Sequence, residues 1–127
     1  MAKTSQTSIE LMIVTGAILF FFTLFFIVIN NNINQKNEEK EGILLNDIAL
    51  TIQEEISLAS SSPDGYFRTF NLPIDILGEE YEIVIAGNFV NVRTEESGLS
   101  LKINSFTGEI RKGENIIKKQ NGEVIIN

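Results

Sequence analysis

Leu11–Ile29 reads LMIVTGAILFFFTLFFIVI, nineteen residues without a single charge. At about 1.5 Å of rise per residue, a helix of that length reaches about 28 Å, close to the roughly 30 Å hydrocarbon core of a bilayer. Leu, Ile, Val and Phe fall on every side of its helical wheel, so no helix with one wet face fits. A fully buried soluble helix would need a large domain around it, and the rest of this 127-residue chain is too short to supply one. The segment is expected to span a membrane. A conventional secretory signal has an apolar region of about 7–15 residues that ends at a small-x-small cleavage site. Here the run is longer and leads into Asn30-Asn31-Asn32. It is expected to stay as an anchor.

Outside the span the chain is acidic. Of 17 Asp and Glu residues and 10 Lys and Arg residues, only Glu10 and Lys3 precede residue 30, so the net charge of −7 sits on residues 30–127. Phosphate binding needs clustered Lys and Arg, so nucleic acid is not an expected partner. The absence of cysteine excludes disulfides, and the absence of histidine removes the commonest general base and the commonest metal ligand. No Asn-x-Ser/Thr acceptor occurs among the many asparagines.

Basic residues orient the span poorly. Lys3 precedes it, while Lys36 and Lys40 follow it among Glu38, Glu39 and Glu41, almost a tie under the positive-inside rule. The segment before the span is more informative. Gln6-Thr7-Ser8-Ile9-Glu10 abuts the apolar run and follows a basic residue. It resembles the Q-x-S-x-E pattern of archaeal class III signal peptides, and with the span behind it the chain resembles archaeal type IV pilin-like proteins. The resemblance implies that a class III prepilin peptidase cuts between Ser5 and Gln6, with Gln6 and Ser8 as recognition residues. Ser5 would supply the small residue before the cut, where the family usually has Gly or Ala. It also places the N-terminus in the cytoplasm and the folded part outside, as a single-pass membrane protein. After such a cut Glu10 becomes the fifth residue, the position at which type IV pilins carry a glutamate thought to neutralise the amino terminus of a neighbouring subunit. A carboxylate at the edge of lipid is costly unless paired, which gives that placement a physical motive. Ser8 has a structural motive of its own, since it can cap the helix by accepting a backbone N–H.

Beyond the span, residues 30–42 (NNNINQKNEEKEG) form a polar linker in which Asn and Gly42 favour a bend or melted turn. Helical periodicity then returns: Leu45, Ile48, Ile52, Ile56 and Ala59 form one apolar stripe, with Asn46, Gln53, Glu54 and Ser57 elsewhere. Pro63-Asp64-Gly65 ends that helix. Short alternating runs follow at about 66–72, 80–86, 89–94, 99–104, 107–111, 115–120 and 123–126, and Asn121-Gly122 is a hairpin signal. A sheet with one apolar face needs a second layer, which the stripe on helix 43–60 supplies. The expected fold class is α+β, with an N-terminal transmembrane helix continuing into an amphipathic helix packed on a small antiparallel β-sheet, the lollipop layout of pilin-like subunits. The expected parts are a cleavable leader (1–5), a transmembrane and filament-core helix (6–29), the linker (30–42) and a soluble head (43–127).

No catalytic constellation is read. Glu54-Glu55, Glu79-Glu80 and Glu95-Glu96 are adjacent pairs whose members point apart and are expected to be solvated. No Gly-rich phosphate loop, calcium loop or nucleophile elbow occurs. The chain is expected to be non-enzymatic and without cofactors. The pilin resemblance implies a structural subunit of a surface filament, whose partners are copies of itself or related pilins, an assembly ATPase and a platform protein. Glu10 would serve subunit assembly, and Gly16 and Ala17 would allow close helix approach. The alternative is a permanently anchored extracellular binding protein that does not polymerise.

Overall fold

The computed structural model describes residues 2–127. Helix α1 runs from Ala2 to Ser61. The chain divides into two compact units, one ending at Asn37 and one from Glu38 to Asn127. The first is helix alone, long and apolar enough to cross a membrane. Residues 30–42 do not melt: the helix carries through the asparagines and through Gly42. Interior glycine costs about 1 kcal/mol and asparagine less. Ending the helix and restarting it would orphan backbone donors and acceptors and require a second nucleation, which costs more.

In the second unit seven strands follow: β1 (Phe67–Leu72), β2 (Glu82–Ala86), β3 (Phe89–Arg93), β4 (Gly98–Lys102), β5 (Thr107–Gly108), β6 (Gly113–Gln120) and β7 (Glu123–Ile126). All seven sequence runs contain a strand, although 107–111 retains only two strand residues. They form two sheets where one was expected. One has the order β1-β6-β7-β5 and the other β2-β3-β4. Every pairing is antiparallel except β5 with β7. That parallel pairing explains Gly108. Its φ is +108°, and a Cβ there would sit 1.9 Å from the Ile126 carbonyl oxygen, so no other residue fits.

A single core joins the helix to both sheets. The stripe Leu45, Ile48, Ile52, Ile56 and Ala59 is buried together with Phe70 and Leu72 of β1, Val90 and Val92 of β3, Ile117 of β6, and Val124 and Ile126 of β7. The two turn signals meet. Asn121 and Gly122 both have positive φ between the paired Gln120 and Glu123, and the Gly122 N–H donates to Asp64 Oδ1 at 2.9 Å. The Pro63–Gly65 turn is thereby tied to the β6–β7 hairpin.

Asn115 is fully buried on the core face of β6, and all four of its hydrogen-bonding positions are used. Its Nδ2 donates to the carbonyls of Arg111 (2.7 Å) and Gly113 (3.1 Å), while Oδ1 accepts from Arg111 N (2.8 Å) and Asn127 Nδ2 (2.8 Å). A second constraint lies between β1 and β2. Ile76 and Glu79 exchange backbone hydrogen bonds of 2.9 Å around Leu77 and Gly78, whose φ values are +52° and +82°. Such a turn favours Asn or Gly at its first position, and a leucine there costs about 1–2 kcal/mol. Buried Ile76 and Tyr81 hold it in place from either side, and the Tyr81 hydroxyl donates to the Pro73 carbonyl.

Replacing Asn115 by Leu strands three backbone partners and should lower head stability by at least about 2 kcal/mol, measured by urea unfolding of the full chain in detergent. Burial pushes the Tyr81 pKa up from 10.0 to about 12. Between those values the unfolded chain has released a proton that the folded chain retains. Stability present below pH 10 is therefore lost as pH rises through about 12. Unfolding midpoints at pH 8 and pH 11.5 should differ markedly less in Tyr81→Phe than in the parent.

Candidate functional site

Every residue singled out near the N-terminus lies on α1 and is exposed: Ser5, Gln6, Ser8, Glu10, Gly16 and Ala17. Of the leader expected over 1–5, Met1 lies outside the described residues. Gln6 and Glu10 are four residues apart and therefore share a face. The capping role expected of Ser8 does not hold in this chain, because the helix begins at Ala2 and the N–H groups beyond Ser8 belong to the helical ladder. A Cβ on Gly16 would meet nothing within 4 Å, so the residue opens a shallow notch on the free surface of the span.

All large apolar side chains from Leu11 to Ile29 are exposed, at 37–76% of their surface. Soluble proteins do not leave a contiguous apolar surface of this extent uncovered. The polar residue Thr23 is accommodated within the helix, its Oγ1 donating to the Leu19 carbonyl at 2.9 Å. That satisfies the hydroxyl without water, as a lipid environment requires. Glu10 is a charged boundary to this surface, directly before Leu11.

The head presents a different set of polar features, two of which the sequence reading missed. Glu41, placed in the linker by its neighbours, is only 7% exposed. Its carboxylate accepts from the Thr94 hydroxyl, and Thr94 Oγ1 in turn accepts from the Ser97 N–H at 3.1 Å. The turn between β3 and β4 is thus fastened to α1. Glu55, expected to be solvated like Glu54, has a side chain only 12% exposed and pairs with Arg68 of β1 at 3.5 Å. Its Oε2 and the Tyr66 hydroxyl are buried without a hydrogen-bond partner among the described residues. The remaining expected carboxylate pairs, Glu79-Glu80 and Glu95-Glu96, are exposed as anticipated.

The head carries open clefts. One of about 750 Å³ lies along β2 and β3, with Glu80, Glu82, Arg93 and Lys112 at its walls. Its Glu82–Arg93 pair is exposed on both sides, so the 2.8 Å contact contributes little. Another, of about 720 Å³, lies beside Phe106 with Lys102 and Lys119 on its rim. Among the described residues no group of three or more Asp and Glu side chains is placed to hold a metal ion.

Compared with known proteins, the chain matches no family model, no curated protein and no solved structure. The order of its elements, one long apolar N-terminal helix and then small β-sheets, is compatible with a pilin-like subunit.

Thr94→Val deprives the Glu41 carboxylate of its partner and should destabilise the head by about 1–3 kcal/mol. Glu41→Met combined with Thr94→Val should recover most of that loss, because both members of the buried pair are then apolar. Thermal unfolding of the four full-length variants in a common detergent checks the cycle.

Proposed function

We propose that this chain is a non-enzymatic structural subunit, major or minor, of an archaeal type IV pilus-like surface filament. The observation that carries this reading is the position of Gln6-Thr7-Ser8-Ile9-Glu10 directly before a nineteen-residue uncharged helix whose whole surface is exposed. A class III prepilin peptidase removes residues 1–5 at the cytoplasmic face, cutting after Ser5 with Gln6 and Ser8 as its recognition residues. The span holds the subunit in the bilayer with the head outside until assembly, which an ATPase and a platform protein drive.

Assembly exchanges lipid contacts of the span for contacts with other copies or related pilins. Lipid tails are as apolar as leucine, so that exchange has little hydrophobic driving force and depends on shape and polar pairing. Gly16 and Ala17 let a neighbouring helix approach. Glu10 supplies the polar pairing. Cleavage creates an α-amino group on Gln6, one helical turn or about 6 Å along the axis from Glu10. A neighbouring copy displaced by about one turn would present its amine to this carboxylate in a medium of low dielectric, where the attraction is strong and an unpaired charge is costly.

Co-expression with the peptidase should yield a mature chain that starts at Gln6, read by N-terminal sequencing. An intact start at Met1 or Ala2 would leave an anchored, non-assembling binding protein as the better account. Glu10→Ala should retain processing yet cut the filaments recovered by shearing by about tenfold or more, since 1.4 kcal/mol of lost pairing already corresponds to tenfold. Parent-like recovery would remove the electrostatic role of Glu10.

A further inference from the structure

We propose that Asn121 is a site of spontaneous deamidation, and that Asp64 holds it closed in the folded head. This is independent of the filament reading, because it concerns the head alone and holds whether or not residues 1–5 are removed.

An asparagine followed by glycine is chemically labile. The Gly122 nitrogen, on losing its proton, attacks the Asn121 Cγ and closes a cyclic imide. The Cγ–Nδ2 bond breaks, and Nδ2 leaves as ammonia. Water then opens the imide at either carbonyl, giving aspartate or isoaspartate, so the net change is amide plus water to acid plus ammonia. Asparagine is a thermolabile residue, and glycine, which has no Cβ, obstructs the attack least. Aspartate followed by glycine closes the same imide by loss of water. The chain contains one of each, Asn121-Gly122 and Asp64-Gly65.

The fold brings the two together, although Asp64 and Gly122 lie 58 positions apart. Each glycine N–H is held by the other's segment. The Gly65 N–H donates to the Lys119 carbonyl at 2.9 Å, which extends the β1–β6 ladder by one step. The Gly122 N–H donates to Asp64 Oδ1 at 2.9 Å, and this bond belongs to no ladder. A two-residue hairpin loop closes on the residues that flank it, here Gln120 and Glu123, and leaves the N–H of its second residue to water. Asp64 supplies the acceptor instead.

That hold opposes the reaction at two points. A carboxylate that accepts from the N–H favours the protonated nitrogen, which is not the nucleophile. The nitrogen also reaches Asn121 Cγ only if the intervening peptide swings about the Asn121 Cα–C bond, and that swing takes the N–H away from Asp64. The turn, with φ of +54° at Asn121 and +79° at Gly122, is thus fixed by its strand pairing and by Asp64. Asp64 is a positioning residue here. Asn121, Gly122 and Asp64 are all exposed, so water reaches an imide that forms. The product does not fit the site again. Isoaspartate lengthens a two-residue turn by a backbone carbon, and either acid sets a new carboxylate near that of Asp64. Deamidation therefore releases the hairpin from the Pro63–Gly65 turn and does not reverse.

The full-length chain is kept in detergent in mildly alkaline buffer and digested, and the peptides carrying Asn121 and Asn104 are followed by mass spectrometry. Asn104 precedes Ser105 in an exposed stretch after β4 and serves as an internal clock of general opening. In the parent, folding should slow Asn121 more than Asn104, relative to the same chain with its head unfolded in guanidinium. Asp64→Ala with a folded head should speed Asn121 by about fivefold or more, since one hydrogen bond to a charged group is at stake, and leave Asn104 unchanged. Lys119 Nζ donates to the Ser60 carbonyl at 2.6 Å, so Lys119→Met frees the same hairpin from the helix end but leaves the Gly122 N–H held. Its Asn121 rate should remain that of the parent. An unchanged Asn121 rate in Asp64→Ala, equal acceleration of Asn104, or an equal gain in Lys119→Met would each overturn the proposal. Should Asp64→Ala not fold, the parent decides: folding that slows Asn121 no more than Asn104 overturns it as well.

Discussion

An apolar surface that wraps completely around a helix has no stable place in water, and every other feature of this chain is arranged around that constraint. From Leu11 to Ile29 no side carries a charge, and the protein supplies no cover of its own. Only a bilayer or other copies of such a helix can provide the missing environment. Two polar placements follow the same rule. Thr23 satisfies its hydroxyl on its own helix, and the charged residues nearest the span lie outside it, at Glu10 on one side and Lys36 on the other.

The same helix later has to do the opposite. Beyond residue 42 its apolar residues narrow to a single stripe, and that stripe becomes one wall of a core shared with two sheets. The transition is made without a break, and Glu41 marks it. Its buried carboxylate is matched by the Thr94 hydroxyl in the turn between β3 and β4. A buried charge is tolerated when a donor meets it, so the place where the helix enters the head is set by hydrogen-bond chemistry together with apolar packing. Asn115 and Asn127 act similarly at the far side of the core, where their amides tie β6 to the chain before it and to the end of β7.

Local preference and tertiary demand disagree in two places. Asn30–Gly42 has poor helix propensity, yet it is helical because each residue adds to a helix already formed on both sides. Leu77 is a poor choice for a left-handed turn, yet it is held there by its buried neighbours Ile76 and Tyr81. The first disagreement concerns a cost small enough for continuity to overcome. The second leaves an exposed leucine at the tip of an acidic turn, held by packing on either side of it.

The amino-acid sequence alone determined what periodicity and length can carry: a span without charge, an amphipathic helix after it, seven strand segments, and the Asn121-Gly122 hairpin. Each follows from neighbours in the chain, so each is legible there. The Gln6–Glu10 stretch is likewise visible in the sequence, because the reading proposed for it rests on its distance from the span. Only the tertiary structure decided that the strands divide into two sheets, that β5 and β7 run parallel, and that Glu41 meets Thr94 and Glu55 meets Arg68. Those partners are separated by 13 to 53 positions along the chain, and no local pattern encodes which of several chemically equivalent carboxylates will be brought into the core.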